Sequence, residues 1–238
     1  MKTLTTEDYS RFSRHLSLSE IGESGQQKLK NAKVLVIGAG GLGSPLLIYL
    51  AAAGIGTIGI VDDDVVSLSN LQRQVLYTTA QLGQKKIDVA AKRLQELYPE
   101  IGVQRYDKRL NADNAEELIS KYDVVADCSD NFATRQLLGR ETERLNKPLA
   151  FASVMNYEGQ VTVFNYQNGP AFSQLYPGVP KDGIFKTEDI GLIGVLPGIA
   201  GCLQANEVIK IITGYGEVLS GKLLVFSIFE NRFNLFSI

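Results

Sequence analysis

At 238 residues with 45% apolar content the chain can bury one good core, and its formal charge of −2 excludes a nucleic-acid binder that relies on overall basicity. Two cysteines, Cys128 and Cys202, lie in apolar segments without a C-x-x-C pair, so both are expected as buried core rather than as a disulfide framework or zinc ligands. The N-terminus MKTLTTEDYS has no apolar signal region and no apolar run approaches membrane-spanning length, so a cytoplasmic protein with no membrane partner is expected.

The chain opens with a polar arm, residues 1–30. Within Thr6 to Lys30, the apolar Phe12, Leu16, Leu18, Ile21 and Leu29 are spaced to hold one face against the body or a second subunit. Arg11, Arg14 and the only histidine, His15, form a basic cluster that on residues alone reads as a solvated face.

Lys33 to Asp64 is the stretch that organises the rest. Val34, Leu35, Val36 and Ile37 are the continuous apolar run of a strand buried on both faces. Gly38, Gly40 and Gly43 then give G-x-G-x-x-G, with a further glycine at Gly41. Such a turn lets the backbone approach a phosphate and opens a helix whose free N–H groups favour an anion. Pro45 and Gly54 bound that helix. The strand Thr57 to Val61 delivers Asp62 to the carboxyl edge of the sheet, where a carboxylate can accept hydrogen bonds from ribose hydroxyls. This is an α/β, Rossmann-like nucleotide-binding βαβ unit, and both NAD and ATP fit it.

Val65 to Gln74, VVSLSNLQRQ, is unusually polar for a segment leaving a buried strand, and offers Asn70, Gln72 and Arg73 near the nucleotide. The next helix, Gln84 to Tyr98, carries Lys85 and Lys86 in its first turn. Cations there oppose the helix dipole, so either one has an anionic partner or both are solvated. Val103 to Arg109 reads as a strand, and Asp113 to Ser120 as a helix with Asp113 and Glu116 at capping-box spacing. Val124 to Asp127 is a short buried strand ending in C-S-D-N. Asp130 either caps the helix Phe132 to Leu145 or holds Mg²⁺, which takes one or two carboxylates plus nucleotide phosphates.

Leu149 to Ser153 and Gln160 to Phe164 continue the sheet. Regularity fails between Asn165 and Ile190, a proline- and glycine-containing stretch expected as a crossover or lid. An apolar glycine-rich segment, Gly191 to Gly201, leads to a helix around Leu203 to Ile212 that stops at Gly214. Lys222 to Phe229 and Arg232 to Ile238, turned by Glu230 and Asn231, form a C-terminal β-hairpin, making the whole a mixed sheet.

The glycine loop, Asp62, Asn70, Arg73, Lys86 and Asp130 gather at one sheet edge with more positive charge than a dinucleotide needs, and with a carboxylate for a metal. Phosphoryl or nucleotidyl transfer asks for such cations around developing charge. With one histidine in the chain, a carboxylate nucleophile, already ionised at neutral pH, suits the site better than an alcohol needing a base.

GAGGLGSP, the SLSNLQRQ run after an acidic strand tip, Lys86, D-C-S-D-N at Asp127 to Asn131 and R-F-S-R-H at Arg11 to His15 together resemble the ThiF/MoeB/HesA family, bacterial relatives of the ubiquitin-activating enzymes. The resemblance covers nearly the whole chain and implies a single adenylation domain, residues 1–238, with an N-terminal arm at 1–30 and a crossover loop at 165–190. It implies that ATP and Mg²⁺ bind at the loop. The C-terminal Gly-Gly carboxylate of a small ubiquitin-like sulfur carrier, of thiamine or molybdopterin biosynthesis, would then be adenylylated with release of pyrophosphate.

By the same resemblance Gly38, Gly40, Gly41 and Gly43 form the phosphate loop, with Gly41 closest to the phosphates, and Asp62 binds ribose. Asn70, Arg73 and Lys86 hold the phosphates, with Asn131 beside them, and Asp130 holds Mg²⁺. Arg14 would reach the ATP of the partner in a homodimer, reversing the solvated-face reading of the arm. Family members often carry a zinc site of two C-x-x-C pairs, but the first pair's place reads Ala171, Phe172, Ser173, Gln174, so no zinc site is expected. The family's thiol falls at Thr187, so no persulfide or acyl-disulfide route through that position is expected. Competing readings are an NAD-dependent oxidoreductase, a non-catalytic nucleotide-binding scaffold of the same family, and a relative that activates a tRNA-linked carboxylate.

Overall fold

Alternation inside the central strands decides the architecture. In β1 (Lys33–Ile37), Val34 and Val36 belong to one apolar cluster and Leu35 and Ile37 to another, so both faces of the strand are covered. The computed structural model describes residues 2–178 and 191–238. Among these, one eight-stranded sheet runs in the order β3 (Gly102–Tyr106), β2 (Thr57–Val61), β1, β4 (Val124–Asp127), β5 (Leu149–Met155), β6 (Glu158–Phe164), β7 (Lys222–Ser227), β8 (Arg232–Ser237). The first five are parallel and the last three antiparallel, which is the expected mixed sheet. The closing hairpin turns at Asn231, at φ 53°.

One face is covered by α3 (Gly22–Asn31), α4 (Gly43–Ala52), α5 (Lys86–Leu97) and α9 (Val195–Thr213), whose Leu29, Leu46, Leu50, Leu94, Leu196 and Val208 meet Val34, Val36, Ile58 and Ile60. The other carries α6 (Ala115–Ser120), α7 (Phe132–Arg144) and α8 (Phe172–Leu175). There Phe151 packs against Phe164 and Phe172 at ring separations of 5.7 and 5.8 Å. Strand order reverses between β1 and β4, so the carboxyl ends of these neighbours open a crevice at the switch point.

Several elements depart from the sequence expectation. The arm is helical, with α1 (Thr6–Arg11) and α2 (Ser13–Leu16) preceding α3. Phe12, Ile21 and Leu29 are buried, but Leu18 is exposed because it falls in the turn between α2 and α3. α6 starts at Ala115 without the Asp113–Glu116 capping box, because Asn111 Oδ1 accepts from the Asp113 and Asn114 N–H groups first. β3 ends at Tyr106 rather than Arg109. The irregular stretch after Asn165 contains α8, and residues 179–190, including Thr187, lie outside the described residues.

The largest difference is α9, which begins at Val195 and runs 19 residues to a Gly214 cap at φ 84°. Glycine density in its first half reflects close packing: a Cβ on Gly201 would lie 2.4 Å from the Leu42 carbonyl of the turn before α4. By length and composition α9 is apolar enough to cross a membrane, contrary to the expectation that no run approaches that length. Here it packs against α4, β5 and β6, and its buried Glu207 is paired with Lys210 at 2.7 Å. Cys128 is buried as expected, whereas Cys202 on α9 is only half-buried.

Candidate active site

The glycine turn is built by contacts that exclude a side chain at two of its positions. Gly38 follows β1 at φ +95°, and a Cβ there would lie 2.6 Å from the Cys128 carbonyl at the end of β4. A Cβ on Gly43 would lie 2.2 Å from the Gly38 carbonyl. Gly38 and Gly43 are therefore required by the fold. Gly40 is not, since its Cβ position meets nothing nearer than Gln74 Nε2 at 3.5 Å. Gly41 faces Pro197 of α9 at 3.2 Å and the Arg73 side chain at 3.6 Å, so Arg73 lies across the glycine turn.

Asp62, at the tip of β2, is aimed at the same turn. Its Oδ2 accepts from Ala39 N–H at 2.8 Å and its Oδ1 from Asp64 N–H at 2.9 Å. Burial raises its pKa above the ordinary 3.8, while the Ala39 amide and the Lys86 charge oppose that shift. Each oxygen keeps a lone pair for a hydroxyl donor. Tyr77 donates from its hydroxyl to the Ala39 carbonyl at 2.8 Å and holds the turn from the other side.

SLSNLQRQ folds as a 3-10 turn, Leu68–Asn70, whose Asn70 carbonyl accepts from Arg73 and Gln74 N–H at 3.0 and 2.9 Å. Arg73 donates to the Ser69 carbonyl at 3.1 Å and stays half-buried over Gly41. Gln72 seats this loop on the start of α9, since a Cβ on Gly194 would lie 2.0 Å from its carbonyl. Lys86, the first residue of α5, is 3% exposed and lies 2.8 Å from Asp64, while Lys85 pairs with Asp107. Both lysines thus have the anionic partner that their place against the helix dipole calls for.

The alternatives for Asp130 separate here. Asn131 caps α7, its Oδ1 accepting from Thr134 N–H at 2.9 Å, so Asp130 is exposed and free of capping. Among the described residues only the Asn131 amide, 3.5 Å away, approaches its carboxylate. Among the described residues no group of three or more His, Cys, Asp or Glu side chains is placed to hold a metal. A cation at Asp130 would therefore take the rest of its ligands from phosphate and water, which suits Mg²⁺.

The carboxyl edge thus brings together Gly38, Gly40, Gly41, Gly43, Asp62, Asn70, Arg73, Lys86, Asp130 and Asn131. Arg14 does not join them. Phe12 packs under Gly54 at the far end of α4 and edge-on against Tyr98 after α5, which puts α1 and α2 at the amino edge of the sheet. Among the described residues four buried polar atoms near the crevice lack a partner: Ser44 Oγ in the first turn of α4, Gln74 Oε1, Asp127 Oδ2 and Arg135 Nε. Of these residues, sequence reasoning named only Asp127, and Tyr77 was also missed. A cation at the start of a helix was a legible signal for Arg135, as it was for Lys86.

The ThiF family pattern matches residues 12–238. A sulfur carrier protein adenylyltransferase of Thermus thermophilus is 44% identical across 96% of this chain and 87% of its own length. A probable molybdopterin-synthase adenylyltransferase of Porphyra purpurea is 44% identical, across 99% of this chain and 62% of the relative. The adenylyltransferase and sulfurtransferase MOCS3 of Culex quinquefasciatus is 46% identical, across 97% and 53%. The chain therefore spans little more than half the length of the last two. Among solved structures, E. coli MccB with AMPCPP and MccA superposes with a TM-score of 0.85 at 27% identity, covering 98% of this chain and 72% of that one. PaaA gives 0.85 at 26%, covering 100% and 76%. On a match spanning residues 12–238 and a relative 44% identical along most of its own length, the chain belongs to the ThiF family.

Proposed function

We propose that this protein uses ATP to adenylylate the C-terminal carboxylate of a small ubiquitin-like sulfur-carrier protein ending in Gly-Gly. The observation that carries this reading is the meeting of a glycine cradle, two cations and a free carboxylate at one sheet edge. Gly41, Arg73 and Lys86 would hold the phosphates, Asp62 the ribose and Asp130 a Mg²⁺ ion. Bound Mg²⁺ would supply neutralisation of phosphate charge. The carrier carboxylate is ionised at neutral pH and needs no base. Its oxygen bonds to the α-phosphorus, the bond from that phosphorus to the bridging oxygen breaks, and pyrophosphate leaves. Arg73 and Lys86 stand where charge accumulates on the phosphates.

Exposed apolar side chains on the edge strand β8, Phe233 and Leu235 among them, give a protein substrate a surface that a small molecule would not need. The names of the relatives favour the molybdopterin branch over the thiamine branch, and adenylylation over the oxidoreductase and scaffold readings. A homodimer is part of the proposal. On α9, exposed Val195 and half-buried Ile199 and Cys202 share a helical face, and α4 beside it exposes Tyr49, an apolar surface suited to a second copy.

Exchange of labelled pyrophosphate into ATP, with Mg²⁺ and with or without carriers ending in Gly-Gly, tests the reading. Carrier-dependent exchange that disappears in Asp130→Ala is expected. ATP binding without exchange for any carrier would overturn it.

A further inference from the structure

Asp130 sits on a turn whose neighbours are tied down on both sides. Asp127 Oδ1 accepts from the N–H and the hydroxyl of Ser129, at 2.9 and 2.6 Å. The Ser129 carbonyl accepts from Arg135 Nη2 at 3.1 Å. On the far side Asn131 is committed to capping α7. Gln204 of α9 donates to the carbonyls of Asp127 and Ala150, at 2.8 and 2.9 Å, and so joins the tip of β4 to β5 and to α9. The Ser129 N–H and carbonyl on one side of Asp130 and the Asn131 carbonyl on the other are thereby held, while the Asp130 carboxylate stays exposed.

Arg135 occupies an unfavourable place for a cation. It is the fourth residue of α7, where a positive charge opposes the helix dipole. Its guanidinium lies 5.3 Å from the centre of the Phe151 ring, and its Nε is buried without a partner among the described residues. Nearby, Asp127 is wholly buried, its Oδ2 has no hydrogen-bond partner among the described residues, and the Arg135 charge offsets part of the cost of burying it. A cation kept for helix stability would stand at the other end of α7. This one is directed at the carbonyl one residue before Asp130.

We propose that Arg135 is a positioning residue for the Asp130 carboxylate, holding the Ser129 carbonyl so that the turn presents Asp130 to the nucleotide's metal. The inference rests on the reading of Asp130 as the Mg²⁺ ligand. Removing Arg135 frees the turn on the side of Ser129 without touching the glycine cradle, Arg73 or Lys86. It should therefore weaken the metal's hold and spare the metal-free nucleotide contacts.

Calorimetric titration of ATP into the full chain, in EDTA and across a Mg²⁺ series, tests this with wild type, Arg135→Gln, Arg135→Lys and Asp130→Ala, each checked by thermal unfolding. Arg135→Gln is expected to need roughly tenfold to hundredfold more Mg²⁺ for half of the Mg²⁺-dependent gain, as for other groups that orient a metal ligand, with unchanged affinity in EDTA. Arg135→Lys keeps the charge and should recover part of the loss. If the glutamine variant does not fold, the lysine variant decides: an intermediate Mg²⁺ requirement supports the assignment and a wild-type one overturns it. Wild-type Mg²⁺ dependence in a folded Arg135→Gln, or an equal loss of affinity in EDTA, overturns it too. Absence of any Mg²⁺ effect in wild type, or its persistence in Asp130→Ala, removes Asp130 as the ligand and the inference with it.

Discussion

Lys86 Nζ lies 2.8 Å from Asp64 Oδ2, and the two differ sharply in setting: Lys86 is 3% exposed and the Asp64 side chain 59%. The lysine is the fixed member, held at the crevice by burial, and the aspartate is a solvent-facing counter-ion that phosphates would replace under the proposed function. Lys86→Ala should lower carrier-dependent pyrophosphate exchange by roughly 10²-fold, the scale of removing a charge-stabilising group from an active site. Asp64→Asn should cost far less. Equal losses in the two variants would show that the pair acts as a structural unit rather than as a phosphate site.

The glycines of the turn separate fold from ligand. Gly38→Ala places a Cβ 2.6 Å from a backbone carbonyl at φ +95°, so it should destabilise the protein by about 1–3 kcal/mol in urea unfolding. Gly40→Ala meets nothing closer than 3.5 Å and should leave the unfolding midpoint unchanged while weakening ATP. If Gly40→Ala bound ATP like wild type, the phosphates would not pass that position.

How far the sequence carried the structure follows from which forces are local. Thr57–Val61 and Val124–Asp127 were legible to the residue because strands buried on both faces must be continuously apolar and end where polar tips begin. The start of α9 was not. Gly194, Pro197, Gly198 and Gly201 read as breakers, and only the folded chain, which sets the Gln72 carbonyl against Gly194 and the Leu42 carbonyl against Gly201, explains why two of them have to be glycine. The site behaved likewise. Asp62, Arg73, Lys86 and Asp130 announce themselves as charges beside strand tips and helix starts, whereas Tyr77, Ser44 and Gln74 are ordinary residues until the turn folds over them. Asn111 displaced the Asp113–Glu116 capping box through a two-residue hydrogen bond that the spacing rule does not weigh.

The arm is fastened by a buried ion pair, Asp8 with Lys30, each under 4% exposed, and Lys30 also reaches Glu100 at 2.8 Å. Burial raises the Asp8 pKa, but hydrogen bonds from Lys30 and Thr5 outweigh it and hold the carboxyl below its ordinary 3.8. Its contribution is therefore complete above that value and lost as pH falls through the folded pKa. For Lys30, burial lowers the pKa and bonds to Asp8 and Glu100 outweigh it, raising it above 10.5. That contribution is complete below 10.5 and lost as pH rises through the folded pKa. The stability due to the arm should be flat from about pH 4 to pH 10 and fall beyond both ends. Asp8→Ala, leaving Lys30 with Glu100 alone, should cost about 3 kcal/mol at neutral pH and flatten the acid limb of the Tm profile. An unchanged acid limb would assign acid sensitivity to other carboxylates.

Arg14 provides the sharpest test of the dimer. It sits on α2 at the amino edge of the sheet, beyond the far end of α4 from the glycine turn. A helix of 10 residues separates the two edges by about 15 Å, so within one chain Arg14 stands apart from the crevice. If Arg14 serves the neighbouring subunit's ATP, Arg14→Ala and Asp130→Ala should each be inactive alone and active when mixed. In a freely exchanging equal mixture half of the dimers are hybrids, and each hybrid holds one site with both side chains intact. Activity should therefore recover to about one quarter of wild type. Recovery cannot arise from a site confined to one subunit, because no single chain in the mixture carries both residues. A mixture that stays inactive although its subunits exchange would return Arg14 to the solvated face that its own neighbours suggest.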